Sequence, residues 1–401
     1  MKSESDTIIK LSTGLSVLAM IFIYSCKKSY APPAITANSS YLVVEGLIAA
    51  GQDSTIINIS RTVNISNQST RNPEVNAVVS IEGDQGVSFV VPETDSGKYA
   101  AAPLNLDNTH KYRLKITTAD GQTYASDFES VKVTPLMDTL GYDITANGIS
   151  IYTSTHDPSN NTHYYRWAYA ETYIYNTPLE SHYKYQQNFF SDTLESVLRT
   201  PDEQIYTCYV NLNSSTIVLN STAALSQDVI VKAPILQIPK DSEKILHRYS
   251  IVLREYGLTR EAFDFWQNLR KNTEKIGSIF DAQPSEIPGN IHCTSDPSQP
   301  VLGYISVSTI SQKRIFIDRS ELPVWPYPLP SGCQTYGLCW YRAEQPPAVF
   351  TSGALIPFGP IKPGGCGIPP LPGYVVEVAT YDCADCRFHL GGKTKKPAFW
   401  E

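Results

Sequence analysis

The 401-residue chain sets 32 basic residues against 39 acidic ones, a net charge of −7, and its Lys and Arg are scattered rather than blocked. That pattern lacks the basic footprint nucleic-acid binding requires, so nucleic acid is excluded as a partner. Tyr is frequent at 25 and Met scarce at 3, while Val, Ile, Thr and Ser recur in short runs between Gly, Pro, Asn and Asp. Such a composition favours strands and predicts a mainly β protein.

The chain opens on an address. Ile8 to Cys26 is an apolar run behind Lys2 and Lys10, interrupted by Ser12, Thr13 and Ser16. It has the charged and apolar regions of a secretory signal and falls short of the ~20 unbroken apolar residues a membrane span needs. Its ending, Ile23-Tyr24-Ser25-Cys26, resembles a bacterial lipobox, in which the cysteine becomes the lipid-bearing first residue. The reading is a signal peptide over 1–25, lipidation at Cys26, and a polar tether over 26–40 containing Pro32 and Pro33. An uncleaved anchor is the alternative, and either one ties the chain to a lipid bilayer from outside the cytoplasm. The remaining length is enough for about two domains.

From Tyr41 short strands follow one another: 41–48, 55–61, 77–82, 87–91, 98–101, 111–118 and 123–126, with turn signals at Gly51, Gly83-Asp84, Gly97 and Asp120-Gly121. This cadence predicts an immunoglobulin-like β-sandwich over 41–135. Within it Tyr112, Leu114 and Ile116 alternate with Arg113, Lys115 and Thr117, one face buried and one wet.

A larger β-rich domain is expected over 136–401. It begins with strands at 137–144 and 149–153 and a long aromatic strand over 163–175. Two roles fit Tyr165, Trp167 and Tyr169: a stacking platform for sugar or peptide, or core and sheet surface. Residues 180–203 read as a loop or insertion. After strands near 205–212, 216–219 and 245–258, the 4, 3, 4, 3 spacing of Ala262, Trp266, Leu269, Thr273 and Ile276 behind Thr259 predicts one helix over 259–276. Strands at 301–308, 314–318 and 374–380 follow. Between them runs a proline-rich stretch, 322–372, through which no packed helix can pass.

Besides Cys26 there are seven cysteines. Six of them, Cys293, Cys333, Cys339, Cys366, Cys383 and Cys386, lie in the last third and are the candidates for disulfides in an exported chain, leaving one thiol over. Tetrahedral zinc on Cys333, Cys339, Cys383 and Cys386 and a redox-active Cys383/Cys386 pair are the alternatives. No nucleophile elbow, zinc helix, phosphate loop or dinucleotide fingerprint occurs. The seven histidines are scattered. No catalytic residue, metal ligand or cofactor is assigned.

Taken in order, the lipobox, Tyr41-Leu42-Val43-Val44-Glu45-Gly46, Tyr164-Tyr165-Arg166-Trp167, the block from Tyr249 to Gly289-Asn290-Ile291, Gly303-Tyr304, Cys383-Ala384-Asp385-Cys386 and the closing Pro397-Ala398-Phe399-Trp400 resemble a domain-of-unknown-function family, number 4249. The resemblance implies an outer-membrane lipoprotein of Bacteroidota-type bacteria, non-catalytic, acting as accessory or substrate-binding partner of a TonB-dependent outer-membrane receptor. A structural or adhesive envelope protein is the alternative, and a secreted hydrolase a remote one. Lys27 and Lys28 stand where surface lipoproteins of that phylum carry acids, so the cell-surface and periplasmic faces both stay open. The same resemblance makes Asp53-Ser54-Thr55, Asp138-Thr139-Leu140 and Asp192-Thr193-Leu194 candidate O-glycosylation triplets.

Overall fold

Alternation builds the first layers. In the strand Lys111–Thr117 the side chains of Tyr112, Leu114 and Ile116 are buried while Lys111 and Lys115 face solvent. The computed structural model describes residues 40–63, 72–188, 193–274, 287–327, 332–341, 355–366 and 371–400. Among the described residues of Tyr41–Glu401 the strands form a mainly β protein with an N-terminal sandwich, a larger β-rich region with one long helix, and a disulfide-stabilised C-terminal region.

One sheet of the sandwich orders Val301–Leu302, Leu42–Ala49, Thr55–Arg61, Lys98–Ala101 and Glu93–Asp95; Ser306–Ser308 also pairs with Leu42–Ala49. The other orders Ile291–Cys293, Thr123–Ser126, Lys111–Thr117, Val78–Gly83 and Ser88–Val90, with Glu129–Ser130 beside Lys111–Thr117. Ile57, Ile59, Ile81 and Tyr99 meet between them, each essentially inaccessible. Every fully buried side chain of this kind contributes about 1.5–3 kcal/mol.

The sandwich therefore extends beyond 41–135, because residues 291–308 return to complete both of its sheets. They are held by close backbone approach: a Cβ on Gly303 would lie 2.0 Å from the Val44 carbonyl oxygen, and one on Gly289 would lie 1.8 Å from that of Gly303. Only glycine fits at either place. Between them the buried Asn290 side chain acts as a clamp. Its amide donates to the Ile305 carbonyl at 2.9 Å and to Glu129 at 3.0 Å, and its oxygen accepts from the Ile305 N–H at 2.9 Å.

The β-rich region is layered around a central sheet of Thr207–Asn213, Tyr164–Asn176, Arg248–Gly257 and Ile310–Asp318, with Val218–Ser221 beside the start of Tyr164–Asn176. On one face lies a three-stranded sheet, Met137–Thr145, Gly148–His156 and Val229–Pro239, and the two share a core. On the other face lies the helix Arg260–Glu274. The outermost strand, Val229–Pro239, is blunted as an edge by Pro234, Pro239 and Lys232, whose φ of +47 accompanies register shifts.

Within residues 180–203, expected as a loop or insertion, Tyr183–Asn188 and Thr193–Leu198 pair antiparallel. The proline-rich region forms a small sheet in which Leu371–Thr380 pairs with Tyr336–Trp340, Leu355–Pro357 and Lys362–Cys366. Disulfides Cys339–Cys366 and Cys333–Cys383 brace it, and Cys208–Cys386 ties it to the central sheet. The C-terminal tail returns to that sheet, where Trp400 packs edge-on against Tyr209 and Phe316 and Arg314 covers Phe399 at 3.6 Å.

Candidate functional site

Thr259 starts the helix: its hydroxyl accepts from the Ala262 N–H at 3.2 Å, and its carbonyl from the Phe263 N–H at 3.0 Å. Ala262, Phe263 and Phe265 are then buried, with Trp266 and Leu269 partly so. Phe263 meets Tyr164 of the central sheet in a tilted contact at 5.1 Å, whereas Phe265 reaches Tyr304 of the returning segment at 5.3 Å. The helix is thus bound to both the central sheet and the sandwich.

Between helix and sandwich lies a cleft of about 630 Å³. Val43 to Gly46 and Leu302 to Tyr304 form its sandwich wall; Phe265, Trp266 and Leu269 form its helix wall, and Arg166 lines it from the central sheet. Arg166 faces the helix because its neighbours Tyr165 and Trp167 face the opposite layer. Its guanidinium lies 4.2 Å from the Trp266 ring centroid and 4.8 Å from that of Tyr256. Burial lowers its pKa, which means the surroundings oppose the charge. Among the described residues its buried Nε has no hydrogen-bond acceptor and no carboxylate lies within ion-pair distance. Desolvating a cation costs several kcal/mol, and two aromatic faces return about 2 kcal/mol. The guanidinium is left under-compensated in a concave, aromatic, partly open site.

A second concavity of about 360 Å³ shares Phe265, Ile287 and Tyr304 with the cleft and carries Asp127, Glu129, Glu261 and Asp264. Burial raises the Glu129 pKa against hydrogen bonds from Tyr304 and Asn290. The cleft therefore offers one cation and an acidic neighbourhood beyond its aromatic wall.

Of the two roles open to Tyr165, Trp167 and Tyr169, the structure favours core over stacking platform: all three are buried between the central and three-stranded sheets. Trp167 Nε1 donates to the fully buried Glu255 at 2.8 Å, and the Tyr165 hydroxyl donates to the buried Asp228. Alternation sends these side chains inward and Arg166 outward. The cue for Arg166 is its charge within residues 164–169, a run otherwise made of aromatics and one alanine.

The cysteine assignment needs one exchange. Cys293 is a buried free thiol inside the sandwich, and Cys208 takes its place as partner of Cys386. Cys333, Cys339, Cys366 and Cys383 pair as disulfides, which overturns zinc and the Cys383/Cys386 redox pair. Cys26 and the segment 1–39 lie outside the described residues, and among those described no helix is long and apolar enough to cross a membrane. Of the candidate triplets, Ser54 and Thr139 are exposed, and Asp192 lies outside the described residues.

A family model described as "Domain of unknown function (DUF4249)" matches residues 27–314. No curated protein matches the chain.

Proposed function

From the chain's membership of that family of domains of unknown function, DUF4249, we propose that it is a non-catalytic outer-membrane lipoprotein, held through Cys26, that serves as accessory or substrate-binding partner of a TonB-dependent receptor in nutrient uptake. One observation carries the binding role: the aromatic cleft between helix and sandwich, with its under-compensated Arg166. Concave, mostly apolar sites with a few convergent polar groups are the usual form of small-ligand sites. The lipobox-like Ile23 to Cys26 supports the anchor. A lipid anchor and a short tether keep a captured ligand close to a membrane receptor and raise its effective concentration there.

The test is co-purification of the full chain from native membranes in mild detergent. A barrel of receptor size should accompany it, and mass spectrometry should find the N-terminus at Cys26 carrying diacylglycerol. Repeated recovery without a barrel overturns the partnership; an intact Met1 overturns the anchor.

A further inference from the structure

Resting on that binding role, we propose that the occupant of the helix–sandwich cleft is a small organic monoanion: a single carboxylate joined to an apolar body. The carboxylate meets the Arg166 guanidinium, and the body lies along Phe265, Trp266 and Leu269.

Four observations lead to this chemistry. Arg166 is the one cation among the described residues lining the cleft. It lies 4.2 Å and 4.8 Å from two aromatic rings and has no carboxylate within ion-pair distance among the described residues. Rings packed on guanidinium faces leave its edges to hydrogen-bond, and a guanidinium edge matches the two oxygens of a carboxylate. The third observation is charge. Glu45 lines the same cleft, while Asp127, Glu129, Glu261 and Asp264 surround the adjoining concavity. Arg166 offers a partner to one negative charge only, and the surrounding acids repel any further one, which disfavours a dianion such as phosphate. The fourth is space. About 630 Å³ is far more than a carboxylate alone occupies, and most of the wall is apolar or aromatic.

A carboxylate on an apolar body is presented both by a free aryl or alkyl acid and by the C-terminus of an apolar peptide. The experiment separates them. Isothermal titration is run on the full chain in phosphatidylcholine nanodiscs, with empty nanodiscs as blank. The probes are 4-phenylbutyrate and 4-phenylbutyramide, then N-acetyl-Phe-Leu-Phe as acid and as amide. At least one acid should bind saturably and more tightly than its amide by about ten- to hundredfold. Arg166→Gln should erase that preference while leaving amide binding in place, and Leu269→Trp, which narrows the cleft, should weaken both forms. Equal binding of acid and amide overturns the proposal, as does absence of binding or an acid preference that survives Arg166→Gln. The acid–amide comparison on the unaltered chain decides the matter if that variant fails to fold. Receptor capture without any acid preference overturns this ligand and leaves the partnership; acid binding without a receptor does the reverse.

Discussion

Glu255 converts pH into stability. Its side chain is inaccessible to solvent, in the layer between the central and three-stranded sheets, where Trp167 Nε1 donates to it at 2.8 Å and the Thr155 hydroxyl at 2.9 Å. Burial outweighs those two bonds and pushes its pKa up from 4.5 to about 7. A carboxyl whose pKa is higher folded than unfolded stabilises the fold while protonated. That contribution is complete below the unfolded value near 4.5 and is lost as pH rises through about 7. At ~1.4 kcal/mol per tenfold change in acidity, the whole displacement is worth ~3 kcal/mol, of which ~2–3 kcal/mol falls between about pH 5 and pH 8. Glu255→Gln keeps the shape and an acceptor for the indole N–H but removes the titration. Urea denaturation of both proteins, disulfides intact, should show the variant gaining ~2–3 kcal/mol on the parent from about pH 5 to pH 8. The subtraction cancels every other titrating group the two proteins share. Parallel profiles would refute a buried, raised carboxyl at this position.

Two further outcomes are expected. Cys293 is 2% exposed and unpaired, so a thiol reagent should leave the native protein unlabelled and label this residue in denaturant without reductant. In protein lipidated at Cys26, Cys293→Ala should abolish the signal, and reactive thiols at Cys208, Cys333, Cys339, Cys366, Cys383 or Cys386 would contradict the three disulfides. Asn290→Ala removes the partner of both backbone groups of Ile305. Stranding buried polar groups costs ~1–3 kcal/mol each, so the thermal midpoint should fall by several degrees, and an unchanged midpoint would remove the clamp from the account.

Local pattern made the individual strands readable. The spans 55–61, 98–101 and 123–126 match the observed elements because side-chain alternation and turn residues are local properties. The helix was equally readable, since Thr259 and one apolar stripe define Arg260–Glu274. What escaped was pairing across distance. Nothing near Val301 signals that it will lie parallel to Leu42, because parallel neighbours share no turn. Cys208 and Cys386 are 178 positions apart, and spacing alone could not choose Cys208 over Cys293. The paired strands Tyr183–Asn188 and Thr193–Leu198 mix polar and aromatic residues without a clean period of two, so the sequence there reads as a loop or insertion. The candidate site is half readable: the motif Tyr164-Tyr165-Arg166-Trp167 stands out in the sequence, but alternation alone does not say that the arginine faces a helix about a hundred residues further along.

The return of residues 291–308 to the sandwich also sets the order in which the protein can mature. A chain appearing N-terminus first displays one side of Leu42–Ala49, and the outer edge of Thr123–Ser126, as unpaired strand edges until Ile291, Val301 and Ser306 emerge. Exposed edges template wrong pairings. The sandwich cannot close early as a self-contained unit, so its completion waits for the helix and for the central strands Tyr164–Asn176, Thr207–Asn213 and Arg248–Gly257 to be synthesised. Both edges stay open to wrong pairing for that whole interval, and a chain cut after the helix would remain open at both of them.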